Sequence, residues 1–232
     1  ASGNDLTDAD FNTAVGANSL REDTLGSRST ALGYYALGNQ NFTSATNTYN
    51  TAVGYHAGLA VTTGTKNTAV GGEALQANTT ASNNTAVGYQ ANRNGTTGGI
   101  NTFVGALSAG IGVVTGTHNV GLGAETLYRL TSGAGNISIG YQALQFNTTG
   151  SENVAIGREA LENNSTASQN TAVGHESLKE NTTGQRNTAV GWNALLKNTT
   201  AQGNTAVGAY AGDSTTTGAN NTFIGYDTAP AN

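Results

Sequence analysis

Thirteen times along this chain a polar residue, a β-branched residue, a small residue or phenylalanine, an aliphatic residue and a glycine follow one another, and between the copies polar and apolar positions return in the same order. The closing glycines are Gly16, Gly33, Gly54, Gly71, Gly88, Gly105, Gly123, Gly140, Gly157, Gly174, Gly191, Gly208 and Gly225; ten of the twelve intervals are 17 residues, one is 18 and one, holding GNQNFTSATNTY, is 21. The bare NTAVG begins at Asn12, Asn50, Asn67, Asn84, Asn170, Asn187 and Asn204. A short fixed period of this kind marks a solenoid, in which each copy is one turn that buries its apolar side only against its neighbours.

Stacking would bring equivalent residues into columns. The residue before the glycine is aliphatic in all thirteen copies, and two residues earlier stands threonine in ten copies and Val120, Ile137 or Val154 in the others. In an extended strand these two columns share a face, and their apolar, β-branched character predicts that this face is the buried one. Between them lies alanine in nine copies, with Phe103, Gly121, Ser138 and Phe223 elsewhere. A small apolar row on the opposite face predicts a second packing surface. Asparagine heads twelve copies and Ser29 the other, a column suited to an amide ladder from coil to coil. Four residues past the glycine leucine recurs in eight copies, including Leu75, Leu144, Leu161, Leu178 and Leu195, and NTTG or a close relative then turns the chain, as at 147–150 and 181–184. GYQALQFN offers a single helical turn, too short to stand alone. The expected fold class is therefore all-β: a β-solenoid, or parallel β-roll, of about thirteen 17-residue coils in a single repeat domain, 1–232, expected to be a fragment of a longer fibre protein.

Only 36% of the 232 residues are hydrophobic and 33 are glycine, too little apolar side chain for a deep core. Nearest-neighbour stacking supplies part of the stability, and packing between chains through the alanine columns is expected to supply the rest. That predicts a homo-oligomer with cyclic symmetry and a subunit interface on Ala69, Ala86, Ala155, Ala172, Ala189 and Ala206. Charged residues make up 10% and the net charge is −5, so no basic surface exists for a phosphate backbone and nucleic acid is not an expected partner. Cysteine is absent, which removes disulfides and thiolate metal sites. No apolar run of about 18 residues is present, so direct membrane insertion of this segment is not expected.

The rows NVAIGREAL (153–161), NISIGYQAL (136–144) and NTAVGGEAL (67–75) resemble the head repeats of trimeric autotransporter adhesins and the repeats of bacterial and viral tail-fibre-domain proteins. The resemblance runs over nearly the whole chain. It implies a left-handed parallel β-roll, three chains side by side, and a place outside the cell on a fibre borne by a cell or a virion.

Chemistry finds little footing. His56, His118 and His175 stand in different copies, and glycine-rich stretches such as GAGNISIG lack the lysine and the helix of a phosphate loop. Glu73, Glu125, Glu159 and Glu176 recur two residues past a glycine without the Asp-rich spacing of calcium repeats. No catalytic, cofactor-binding or metal residue is therefore assigned, and the chain is not expected to be an enzyme. The column after the glycine carries Tyr34, Tyr55, Tyr89, Tyr141, His175, Trp192 and Tyr226; such planar residues either cover the bend or meet a protein receptor or the rings of a glycan. The 21-residue interval adds Tyr35, Phe42 and Tyr49, making this the most aromatic part of the chain, and it is expected to bulge from the stack as a binding loop; the coil at AGIGVVTGTH is expected to bulge less. Sequons at Asn78, Asn147, Asn181 and Asn198 are read as turn chemistry. The expected function is a structural and adhesive segment of an extracellular fibre that mediates attachment. The alternatives are an ice-binding solenoid and a polysaccharide-binding or polysaccharide-cleaving one.

Overall fold

The three residues before each glycine form a strand in every coil. The computed structural model, which describes residues 9–228, is all-β, with no helix among the described residues, and forms a parallel β-solenoid. Its described residues fall into two compact units, 9–117 and 118–228. In the first, the short strands β1 (Thr13–Val15), β3 (Thr30–Leu32), β5 (Thr51–Val53), β6 (Thr68–Val70), β7 (Thr85–Val87) and β8 (Thr102–Val104) pair in chain order, beside a separate pair, β2 (Gly26–Ser27) and β4 (Thr46–Asn47). In the second, β9 (Val120–Leu122), β10 (Ile137–Ile139), β11 (Val154–Ile156), β12 (Thr171–Val173), β13 (Thr188–Val190), β14 (Thr205–Val207) and β15 (Thr222–Ile224) follow likewise. The pairing is parallel and in register, Thr68 facing Thr85 and Val70 facing Val87, so every column of the sequence is a column in space.

The faces of the strands are the reverse of the expected ones. The alanines are inside: Ala69 is 2% exposed, and Ala86, Ala155, Ala172, Ala189 and Ala206 are fully buried within a single chain. They therefore meet no second subunit, and the interface expected there is corrected. The column before the glycine, expected to be buried, and the threonine column point outward. Val15, Leu32, Leu122 and Ile224 are exposed, and Val53, Val70 and Val87 are half-buried. Space decides this. A coil of 17 residues encloses room for the asparagine, two or three alanines and one leucine, as in Asn67, Ala69, Ala74 and Leu75, and further bulk must be offset: the coil in which Leu127 and Leu130 are both buried has Gly121 in place of the alanine. The exceptions obey the same limit. Phe103 lies buried in the coil that carries Ala109 where others carry leucine, and Phe223 packs over Gly212, where an added Cβ would stand 2.6 Å from Cδ2 of that ring.

The leucine column is buried as the sequence predicts, with Leu75, Leu144, Leu161, Leu178 and Leu195 fully enclosed. Each of these leucines turns a corner with a positive φ, 50° at Leu75 and 52° at Leu161. That conformation costs an L-residue about 1–2 kcal/mol, and burial of the leucine side chain, about 1.5–3 kcal/mol, offsets it.

Asparagine forms two ladders. In the first, Asn67, Asn84 and Asn101 each give their backbone N–H to the side-chain Oδ1 of the asparagine one coil earlier, at 2.9–3.0 Å, and Nδ2 of Asn67 donates to the Ala81 carbonyl at 2.9 Å. A second ladder runs through the turns, where Nδ2 of Asn164, Asn181 and Asn198 each donates to the previous Oδ1 at 3.0 Å. The sequons at Asn78, Asn147, Asn181 and Asn198 thus lie buried in the stack, where no glycan has room.

The 21-residue interval does not simply loop out. Its strand β4 pairs with β2, and Phe42, expected at the surface, is 6% exposed. The interval repairs a gap in the ladder. Where Ser29 replaces the leading asparagine, Gln40 donates to Ser29 Oγ at 2.9 Å and to Asp23 Oδ2 at 2.7 Å, and accepts from Asn50 Nδ2 at 2.8 Å. Burial raises the pKa of Asp23, against the lowering by its bonds from Gln40 and Gly26 N–H. A carboxyl raised by folding stabilises the fold most below its unfolded pKa and loses that contribution as pH rises through the folded one. Carbon-detected titration of Asp23 is expected to show a midpoint above the ordinary aspartate value; a midpoint at or below it would remove the burial argument.

Candidate functional site

The bend after the glycine turns its next residue toward the surface and leaves the one after it half-buried in most coils, and the residue five past the glycine lies beside them one turn on. In the coils that flank the long interval, these three columns hold Tyr34 and Tyr35, then Tyr55, His56 and Leu59, and together they line a cleft of about 320 Å³ in the first unit. Tyr34 and Tyr55, equivalent residues of adjacent coils, stack with ring centroids 5.8 Å apart and planes 10° from parallel. His56 lies on Tyr55 at 3.8 Å. Tyr35 meets Tyr34 edge-on at 4.7 Å and His56 edge-on at 5.8 Å. The in-register stack sets the Tyr34–Tyr55 and Tyr35–His56 distances, because in each pair the rings are carried by the same backbone position one rung along, whereas Tyr34–Tyr35 and Tyr55–His56 are neighbours in the chain.

The rings are held from behind. Arg21 donates from Nη1 to the Tyr35 hydroxyl at 2.8 Å and packs 5.0 Å over that ring, while its charge is matched by Glu22. Gly38 leaves room for Tyr35, since an added Cβ would stand 2.8 Å from Cδ1 of the ring. Arg93 donates from Nε to Gln76 Oε1 at 3.1 Å, so the Gln76 amide nitrogen faces His56 Nδ1, at 3.3 Å. Arginine has no acceptor, and this chain therefore fixes His56 with Nδ1 accepting and Nε2 carrying the hydrogen.

Of the other aromatic candidates, Tyr49 is exposed and lies against Arg28, whose guanidinium is 5.8 Å from the ring. Tyr89 and Tyr141 are exposed along the same column as Tyr55. In the second unit His175, Trp192, Tyr210 and Tyr226 form a zigzag, with successive ring centroids 6.4, 5.0 and 6.0 Å apart. The structure thus gathers Tyr34, Tyr35 and Tyr55, keeps Tyr49 apart and removes Phe42 to the interior. His56, Leu59 and Tyr210 are additions that a reading of the first column alone does not find.

The acidic column is tied up along the stack. Glu73 accepts from Gln90 at 2.8 Å and pairs with Arg93 at 3.0 Å, and Glu125 accepts from Gln142 and Gln145. Glu159, Glu162 and Glu176 surround the Lys179 ammonium. The hydrogen bond from Lys179 holds the Glu159 carboxyl below the usual glutamate range, and although burial opposes its charge, Lys179 is raised by its bonds to Glu159 and Glu176. Among the described residues no three His, Cys, Asp or Glu side chains are placed to hold a metal ion, and no helix is long and apolar enough to cross a membrane. No protein-family model, curated protein or solved structure matches the chain.

Proposed function

We propose that the chain is a structural and adhesive segment of an extracellular fibre on a cell or virion. Three parallel copies join through the outward Thr-x-Val face, and the aromatic columns meet a surface receptor. One observation carries this reading: the two outward columns of the strands hold only threonine, valine, leucine and isoleucine in all thirteen coils, and Leu122 and Val207 there are 47% and 41% exposed. A regular, uncharged strand face is one that a soluble protein covers, and copies related by a cyclic axis cover it with the same face.

Light scattering at micromolar concentration is expected to give three times the mass of one chain, and Ile156→Lys combined with Val190→Lys is expected to give single chains with unchanged circular dichroism. A wild-type chain that remains single would overturn the assembly.

The same face supports a second reading. Its ten outward threonines fall in two rows, six from Thr13 to Thr102 and four from Thr171 to Thr222, parted by Val120, Ile137 and Val154; within each row they recur at one rung spacing, about 4.7–4.9 Å, as hydroxyl and methyl groups suited to ordering water at an ice surface. That use requires the face to be bare. Thermal hysteresis from a single chain, abolished by Thr171→Lys, would favour ice binding over the fibre.

A further inference from the structure

We infer that the cleft formed by Tyr34, Tyr35, Tyr55, His56 and Leu59 is a binding site for an uncharged pyranose, a neutral sugar ring or a short run of them; the inference rests on the adhesive reading and gives its receptor a chemical class. A pyranose has one face of C–H bonds and a rim of hydroxyl groups, and the lining offers a counterpart to each. Tyr34 and Tyr55 are 45% and 52% exposed, with near-parallel rings that supply flat apolar surface. The rim meets the tyrosine hydroxyls and His56, whose free donor is Nε2–H because Gln76 engages Nδ1.

Charge excludes other ligands. The cleft lining contains no carboxylate, lysine or arginine, and the arginine behind it, Arg21, is neutralised by Glu22, so neither an anionic nor a cationic sugar gains a partner. About 320 Å³ is at the small end of ligand sites, enough for one or two rings and well short of a protein interface. The site is also built. Gly38 makes room for the Tyr35 ring, Arg21 holds its hydroxyl, and the Arg93–Gln76 pair sets the histidine tautomer.

The test is saturation-transfer NMR on the intact chain with methyl glucoside, methyl galactoside, methyl mannoside, N-acetylglucosamine and sialyllactose, with phenol as a control for simple aromatic stacking. At least one neutral pyranoside is expected to take up saturation through its ring C–H protons. Tyr55→Ala is expected to weaken that binding about tenfold. Gly38→Ala, which displaces Tyr35 without removing any ring, is expected to weaken it as well, and Trp192→Ala in the second unit to leave it unchanged. Melting curves show whether each variant is folded; Tyr55 is half-exposed, so its truncation is expected to leave the melt in place. No transfer to any neutral sugar, transfer to sialyllactose or phenol alone, or binding that survives Tyr55→Ala would overturn the site. The assembly is measured separately. A trimer that binds no sugar ends this inference and leaves the fibre, whereas a single chain that binds sugar does the opposite.

Discussion

Gly174→Ala is expected to lower stability by about 3–5 kcal/mol, while Gly72→Ala changes it by less than about 1 kcal/mol. Both are glycines in the same kind of bend. Gly174 has φ +137°, a region closed to other residues, and a Cβ there would lie 2.3 Å from the Gly191 carbonyl oxygen and 2.6 Å from its carbon. Those atoms are backbone of the next coil and are locked in the ladder, so relief requires the rung to open. Strain of about 1–3 kcal/mol then adds to an overpacking cost of similar size. At Gly72 the nearest atom to an added Cβ is Cδ2 of Tyr89, at an ordinary 3.6 Å. Urea unfolding followed by circular dichroism measures both, and equal midpoints would show that the glycine column serves neither conformation nor close approach.

Asn170→Ala is expected to cost about 1–3 kcal/mol, from the buried Asn187 N–H left without a partner; the Gly184 carbonyl keeps the Asn181 Nδ2 donor at 2.9 Å. Asn170 accepts the Asn187 N–H at 2.9 Å through Oδ1 and donates from Nδ2 to the Gly184 carbonyl at 2.9 Å. No water reaches the position, as its side chain is fully buried. Asn163→Ala, at a half-buried asparagine in the turn one coil earlier, is expected to stay within about 0.5 kcal/mol. The same denaturant curves decide it: a loss at Asn170 no greater than at Asn163 would mean that turn propensity, and not the ladder, selects asparagine.

The period, the glycine bend, the first asparagine ladder and the buried leucine column were legible because each is set by one residue type recurring at one spacing. The orientation of the strand was not. Hydrophobicity ranks valine above alanine as a core residue, but the enclosed volume of a 17-residue coil reverses the order, and Ala172 is buried while Val190 is 37% exposed. The pairing of Phe223 with Gly212 and of Phe103 with Ala109 held the clue, since a large residue in the alanine column accompanies a small one in the leucine column. Tyr34, Tyr35 and Tyr55 stood out by composition. His56 and Leu59 join them through columns two and five past the glycine; the first is marked by recurring glutamates, not by rings, and the second carries unlike residues in adjacent copies. Gln40 was hidden for a related reason: it occupies the second asparagine column, and its longer side chain spans the gap at Ser29 that the alignment of copies showed only as an exception.

The paired asparagine bonds also fix how such a gene can change its length. Each rung offers one acceptor to the rung after it and takes one from the rung before, so removal of residues 154–170 would join Asn153 to Thr171 and restore this ladder, Asn187 meeting Asn153 as it now meets Asn170. Removal of sixteen residues would instead leave one coil of 18 residues, the length of the interval between Gly105 and Gly123, which must place its extra residue outside the ladder. Recombination between copies therefore adds or deletes whole turns without a folding penalty at the junction, and the number of turns can drift between lineages while the sequence of each turn is held.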